Sequence, residues 1–134
     1  HQVVVIVMIT NLVERGRVYT NSLKKTSHFI IFFNFYCLLL FQRKCDMYWP
    51  KEGSEVYGAI QVNTTKEDVM ATYTVRTFQI KNTKSGLSRQ VLQYHYTVWP
   101  DHGTPEHPLA VLRFREAARK AVPPQAGAVL VHCR

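Results

Sequence analysis

The sequence predicts an α/β or mixed-sheet fold. Three observations predict it: an unbroken β-branched run near the start, two β-rich stretches around a polar loop, and an amphipathic stretch followed by a short apolar strand. This order of strand, hairpin, helix and strand is typical of domains in which helices pack on a sheet. With 134 residues, of which 46% are hydrophobic, the chain is long enough for one small domain with a modest core.

The first part of the chain contributes strands. Residues 3–9 (VVVIVMI) form a continuous apolar run, which predicts a strand buried on both faces, as in a parallel sheet. Residues 56–62 predict a short strand. Residues 69–80 and 89–98 are rich in β-forming residues and flank the polar, glycine-containing loop 81–88, so together they predict a β-hairpin.

The last third of the chain predicts a helix and a final strand. Apolar residues recur at helical spacing over residues 107–121, with Pro108 in the first turn and a Pro-Pro pair at 123–124 after the end. Residues 127–132 (GAVLVH) then predict a strand that runs directly into Cys133. Because open α/β sheets bind ligands beyond the carboxyl ends of their strands, Cys133 stands where a nucleophile would face a substrate.

The net charge and the cysteine content limit which partners, metal sites and redox environment are expected. The net charge of +8 suits an anionic partner, which can be nucleic acid, an acidic membrane surface or a phosphorylated protein. The sequence has no recognition-helix pattern and no basic stripe interleaved with aromatic residues, so nucleic acid is not an expected partner. Cys37, Cys45 and Cys133 follow neither a disulfide framework nor a metal-ligand spacing. We therefore predict no metal site and a reducing environment.

Three short motifs carry the functional signal. They are residues 44–50 (KCDMYWP), 99–103 (WPDHG) and 129–133 (VLVHC). Their order and spacing resemble the protein tyrosine phosphatase domain, and residues 5–17 (VIVMITNLVERGR) and 72–78 (TYTVRTF) resemble it as well. The resemblance implies the phosphatase fold, a twisted mixed sheet with flanking helices, here incomplete at both ends.

Two further segments indicate a branch of that family. Residues 93–97 (QYHYT) and 81–84 (KNTK) are most similar to insect receptor phosphatases related to the vertebrate gamma and zeta types. The resemblance implies a parent protein anchored in a membrane outside this segment. The segment itself would lie on the cytoplasmic side, with no transmembrane helix, and would act on phosphotyrosine proteins.

The resemblance also assigns roles to individual residues. Cys133 occupies the nucleophile position, and Asp101 that of the general acid and base of a mobile loop. His132 flanks the nucleophile, and the loop of Asp101 is shaped by its neighbours Trp99, Pro100 and Gly103. The family's reaction, hydrolysis of phosphotyrosine through a cysteinyl-phosphate, uses no metal or organic cofactor, and we expect none.

The sequence departs from the family after Cys133. The family pattern is HC, five residues and then an arginine that cradles the phosphate, whereas here Arg134 follows Cys133 directly and is the last residue. Removing one transition-state donor typically costs about 2.7–4 kcal/mol, so we expect the 134-residue chain itself to be inactive. The alternatives are a non-catalytic phosphotyrosine-binding or interaction fragment, and a gene-model product without a function of its own.

Residues 18–42 interrupt the resemblance. In the family a Gly-Arg pair leads almost directly into KCxxYWP, and joining Arg17 to Arg43 restores that sequence. Valine codons begin with GT and a glutamine codon can end in AG, as introns do, and residues 35–41 (FYCLLLF) can be encoded almost entirely by pyrimidines. We therefore predict that residues 18–42 are a translated intron within a partial phosphatase domain spanning 1–134. The apolar block 29–41 is shorter than the roughly 20 residues of a membrane-spanning helix.

Overall fold

A computed structural model describes residues 3–15, 41–43, 45–124 and 127–133. Most of the predicted insertion, residues 18–40, lies outside the described residues, as does Arg134. In chain order the elements are β1 (Val5–Met8), β2 (Val13–Arg15), β3 (Phe41–Arg43), β4 (Ser54–Tyr57), β5 (Ile60–Val69), β6 (Tyr73–Asn82), β7 (Ser88–Tyr96), α1 (Pro108–Lys120) and β8 (Val129–His132).

The centre of the fold is a six-stranded mixed sheet with the order β4-β5-β6-β7-β1-β8. Strands β4 to β7 are antiparallel neighbours, whereas β1 runs parallel to both β7 and β8. Strands β2 and β3 form a separate antiparallel pair. The predicted α/β fold with a mixed sheet is therefore confirmed.

Strand β1 confirms the interpretation of the β-branched run. Val5 and Met8 are fully buried, and the strand has a parallel neighbour on each side. Val5 and Met8 face opposite sides of the sheet, and Ile6 and Val7 between them are partly buried, so both faces are largely covered, which is why the sequence is continuously apolar. The predicted hairpin is also confirmed, since β6 and β7 pair around the polar loop, but its first strand begins at Tyr73, and Val69 belongs to β5.

The prediction of one short strand over residues 56–62 is wrong in its boundaries. Gly58 has a φ of +63° and turns the chain, so β4 ends before it and β5 begins after it. Strand β5 then continues to Val69 through a run of polar residues. That run pairs with β6 through the backbone, with a register shift between Thr64 and Lys66.

The two faces of the sheet are covered differently. On one face Met8, Trp49 and Phe78 form a buried cluster. The helix α1 covers the other face, where Phe114 is 2% exposed and its ring meets three tyrosine rings at centroid distances of 5.2–6.4 Å, those of Tyr73, Tyr94 and Tyr96. Aromatic edge-to-face pairs of this kind add to the stabilisation that burial provides.

The helix matches its prediction closely. It begins at Pro108, whose missing N–H costs nothing in the first turn, and ends with Arg119 and Lys120 in the last turn, where positive charge favours the helix dipole. With 13 residues, this helix of the described chain is too short to cross a bilayer.

Candidate active site

The predicted functional segments leave the sheet at one edge. Because β7, β1 and β8 are parallel neighbours, their carboxyl ends lie side by side. The loop that contains Asp101 follows β7, and Cys133 follows β8. Asn11, which follows β1 between them, donates from Nδ2 to the Trp99 carbonyl oxygen at 3.2 Å. This edge is where open sheets bind ligands.

The loop after β7 is anchored at one end and exposed at its tip. Trp99 is half-buried, and its ring meets that of Tyr96 at a centroid distance of 6.2 Å. Pro100 is also half-buried, whereas Asp101 is exposed. Gly103 has a φ of +78°, a conformation that residues with a Cβ rarely adopt. The Asp101 carboxylate is thus exposed to solvent on a loop whose first residues, Trp99 and Pro100, are half-buried.

Cys133 is exposed directly beyond β8. None of the described residues donates a hydrogen bond to its thiol, and no hydrogen bond joins it to Asp101. Its carbonyl oxygen lies 2.9 Å from Nδ1 of His132. The structure therefore brings the two catalytic candidates to the same edge of the sheet without direct contact between them.

A row of polar side chains lies behind Cys133. The Tyr48 hydroxyl is 2.8 Å from Nε2 of His132, and the two rings meet at a centroid distance of 5.3 Å. Gln93 donates from Nε2 to the same hydroxyl at 2.8 Å, and its Oε1 accepts from Nη1 of Arg76 at 3.0 Å. Four side chains from distant parts of the sequence are thus joined in one line that ends at Cys133.

Arg76 is the charged end of this row. Its side chain is 12% exposed, its Nε donates to Glu67 at 2.5 Å, and its guanidinium lies 4.6 Å from the centre of the Trp49 ring. Nη1 also lies 3.2 Å from Nδ1 of His95. Since a guanidinium only donates, that nitrogen accepts, and Nε2–H of His95 donates to the Thr10 carbonyl oxygen at 2.8 Å.

Burial sets the protonation of two members of this region. It lowers the pKa of His95, and the positive charge of Arg76 lowers this pKa further. The hydrogen bond to the Thr10 carbonyl oxygen raises it, but by less than burial lowers it. Burial also raises the pKa of the Tyr48 hydroxyl, which the Gln93 hydrogen bond partly offsets. Both groups are therefore neutral at pH 7, and Tyr48 keeps its proton for donation.

The motif at residues 44–50 supplies both packing and polar groups to this region. Trp49 and Pro50 are buried. Tyr48 is 37% exposed, and its hydroxyl bonds Gln93 and His132. The signal for Gln93 lies in β7, where the alternate residues Val91, Gln93 and His95 are all at most 5% exposed. Polar residues at buried strand positions indicate a hydrogen-bonded network.

Comparisons with known proteins agree on one family. A family model described as protein-tyrosine phosphatase matches residues 36–134. The chain is 51% identical over 138 residues to mosPTP-1 of Aedes aegypti, named as a receptor-type tyrosine-protein phosphatase, with 98% of this chain and 9% of that protein covered. It is 50% identical to tyrosine-protein phosphatase 99A of Drosophila melanogaster, with the same coverage. To receptor-type tyrosine-protein phosphatase zeta of Rattus norvegicus it is 45% identical over 141 residues, covering 99% of this chain and 5% of the relative.

The chain therefore spans less than a tenth of the length of each of these relatives. The predicted similarity to insect receptor phosphatases and to the zeta type is confirmed by the same three proteins.

Proposed function

Because the chain belongs to the protein-tyrosine phosphatase family, we propose that it is part of an enzyme that hydrolyses phosphotyrosine in proteins through a cysteinyl-phosphate. The observation that supports this most directly is the shared sheet edge, where β7 and β8 present the Asp101 loop and Cys133. The Cys133 thiolate attacks phosphorus, the bond from phosphorus to the tyrosine oxygen breaks, and Asp101 protonates the departing oxygen. Water then attacks phosphorus, Asp101 takes its proton, and the thiolate leaves.

The remaining site residues have supporting roles in this proposal. Trp99 and Pro100 hold the base of the Asp101 loop, and Gly103 supplies the backbone conformation that lets the loop turn. His132 binds the backbone carbonyl of Cys133 and so fixes the peptide that carries the nucleophile. The chemistry needs no metal or organic cofactor.

The relatives also suggest a cellular setting. Two of the three are named as receptor-type enzymes, so we extend the proposal to a parent protein that is anchored in a membrane outside this segment. The segment acts on the cytoplasmic side, and its partners are phosphotyrosine proteins.

A finer part of the proposal concerns the 134-residue polypeptide taken alone, which we propose to be inactive. In the described residues the Cys133 thiol has no hydrogen-bond donor. A dianionic phosphate requires several donors around it during transfer. The family supplies those donors from the residues after the cysteine, in the HC-five-residues-arginine loop.

Hydrolysis of an aryl phosphate tests both parts. The 134-residue polypeptide is compared with a version extended through the family's phosphate-binding loop. We expect turnover only in the extended version, abolition by Cys133→Ser, and a loss of about 10²–10⁴-fold in Asp101→Asn, the range for a general acid. Phosphopeptide binding without turnover in the extended version would favour the non-catalytic alternative. Cys133-dependent turnover by the 134-residue polypeptide would refute the proposed inactivity.

A further inference from the structure

We propose that Gln93 is a positioning residue of the catalytic cysteine, because it connects the Tyr48–His132 pair behind Cys133 to the fixed charge of Arg76. The inference rests on the proposed function for its purpose, since Cys133 needs positioning only if it reacts. The hydrogen-bonded row and its direction follow from the geometry alone and do not depend on that function.

The direction of the row follows from which atoms can donate. Arg76 only donates, so Oε1 of Gln93 must face it, and the amide nitrogen must face Tyr48. At the other end a carbonyl only accepts, so Nδ1 of His132 carries the proton that it donates to Cys133. A neutral imidazole then has its lone pair at Nε2, which accepts from the Tyr48 hydroxyl. The four hydrogen bonds of the row therefore point from Arg76 toward Cys133. The Met8 sulfur, 3.9 Å from the Tyr48 hydroxyl and 3.8 Å from Nε2 of Gln93, is a second and weaker acceptor beside the row.

The far end of the row is rigid. Gln93 is fully buried at 0% exposure, and it lies opposite Arg76 in the β6–β7 register, which in turn lies opposite Glu67 in the β5–β6 register. Arg76 is held further by Glu67 and by the Trp49 ring. Three neighbouring strands thus fix the origin of the row, while Cys133 at its other end is exposed.

This arrangement can orient and polarise the end that carries Cys133. Hydrogen bonds that point the same way strengthen one another where the dielectric is low, which holds for the buried end of the row at Gln93, whereas Tyr48 is 37% exposed. The row brings the positive end of each dipole toward the cysteine, which favours the thiolate, the reactive form of the side chain. Gln93 is the connector, because among the residues that the structure describes it alone accepts from Arg76 and donates to Tyr48.

The tautomer of His132 in the unmodified 134-residue chain is the first test. Long-range ¹H–¹⁵N spectra of ¹⁵N-histidine-labelled protein, recorded at about pH 8 where imidazoles are neutral, distinguish the two neutral forms. His132→Gln identifies the His132 signals among the six histidines. We expect the Nδ1–H form, and observation of the Nε2–H form, which isolated neutral histidine favours, would overturn the proposal.

The variant Gln93→Glu tests whether Gln93 acts through the direction of its hydrogen bonds or only by filling space. Glutamate retains the size of the side chain and the bond from Arg76, but it cannot donate to Tyr48. We expect Tyr48 to donate to the new carboxylate instead, and His132 to change to the Nε2–H form. Gln90→Glu makes the same substitution at an exposed position of the same strand and is expected to leave the Nδ1–H form unchanged.

Cysteine reactivity supplies a second readout. The rate of Cys133 alkylation by iodoacetamide at neutral pH is measured by mass spectrometry relative to Cys45 in the same molecule. We expect Gln93→Glu to lower this ratio by at least about threefold, with no change in Gln90→Glu. An unchanged tautomer in Gln93→Glu, or equal effects in both variants, would overturn the proposal.

Neither readout requires turnover, so the two proposals fail separately. A correct tautomer and a lowered alkylation ratio, together with an extended version that does not hydrolyse aryl phosphate, would refute the enzymatic function and leave the row established. Hydrolysis by the extended version, together with the Nε2–H form in the 134-residue chain, would refute the row and leave the function.

Discussion

His95 shows how a single buried side chain makes this fold sensitive to pH. It is 5% exposed, and both of its ring nitrogens are engaged in the neutral form, one by Arg76 and one by Thr10. Burial lowers its pKa in the folded chain below the usual value of 6.5. As the pH falls through about 6.5, the unfolded chain binds a proton before the folded chain does, so the free energy of unfolding decreases.

We therefore expect the urea midpoint of unfolding to be constant above about pH 7 and to fall as the pH is lowered from 6.5 toward 5. In His95→Gln, which removes the titrating group, this part of the decrease should be absent. His107→Gln removes an exposed histidine before α1 and should keep the wild-type dependence. Identical pH profiles for wild type and His95→Gln would show that His95 is not the responsible group.

The sequence locates the proposed catalytic residues more readily than the residues that support them. Cys133 and Asp101 are recognisable because the motifs around them are contiguous in the chain. Gln93 and Arg76 belong to no such motif, and their meeting with Tyr48 depends on strand register, which brings positions 76 and 93 opposite each other. Alternation in β7 indicates that Gln93 is buried, but only the folded sheet shows which partners its amide has.

At the level of elements, predictability follows apolar patterning. Strand β1 can be predicted because it is continuously apolar, and helix α1 because its apolar residues recur at helical spacing. Strand β5 lacks either signal, since most of its second half is polar and exposed. It is a strand because β4 and β6 supply hydrogen bonds on both sides, and tertiary pairing of this kind overrides local propensity.

The packing of α1 depends on one side chain, and this predicts a sharp contrast between two substitutions. Phe114→Ala removes the ring that lies against three tyrosines and should lower the free energy of unfolding by about 3–5 kcal/mol. Leu112→Ala, at a position 51% exposed on the same helix, should change it by about 0.5 kcal/mol or less. Urea denaturation followed by circular dichroism measures both. Similar losses in the two variants would mean that α1 does not pack through Phe114.

At the scale of the whole molecule, the main question is whether residues 18–42 belong to the domain or are a translated intron. Of these residues the structure describes only 41 and 42, which belong to β3 and pair with β2 in the separate two-stranded sheet. The hypothesis of a translated intron is decided by the transcript. We expect the mature message to join the codons of Arg17 and Arg43, and a spliced message that retains the intervening 25 codons would contradict it.

The protein itself offers an independent test, because two residues that flank the segment, Leu12 and Cys45, are already close. The backbone N–H of Cys45 lies 3.4 Å from the Leu12 carbonyl oxygen, so residues 13–17 joined to 43–44 make a connection of ordinary loop length. We expect deletion of residues 18–42 to preserve the far-ultraviolet circular dichroism of the sheet. Loop closure alone should raise the free energy of unfolding by about 1 kcal/mol.

A third variant, in which a glycine–serine linker of equal length replaces residues 18–42, separates loop length from specific contacts. If the segment is foreign to the fold, the linker variant should unfold at the same urea concentration as the wild type, and the deletion variant at a higher one. If the segment belongs to the fold, both replacements should be less stable than the wild type, because each removes contacts that the sheet needs. The second result would exclude an insertion and make residues 18–42 a working part of the domain.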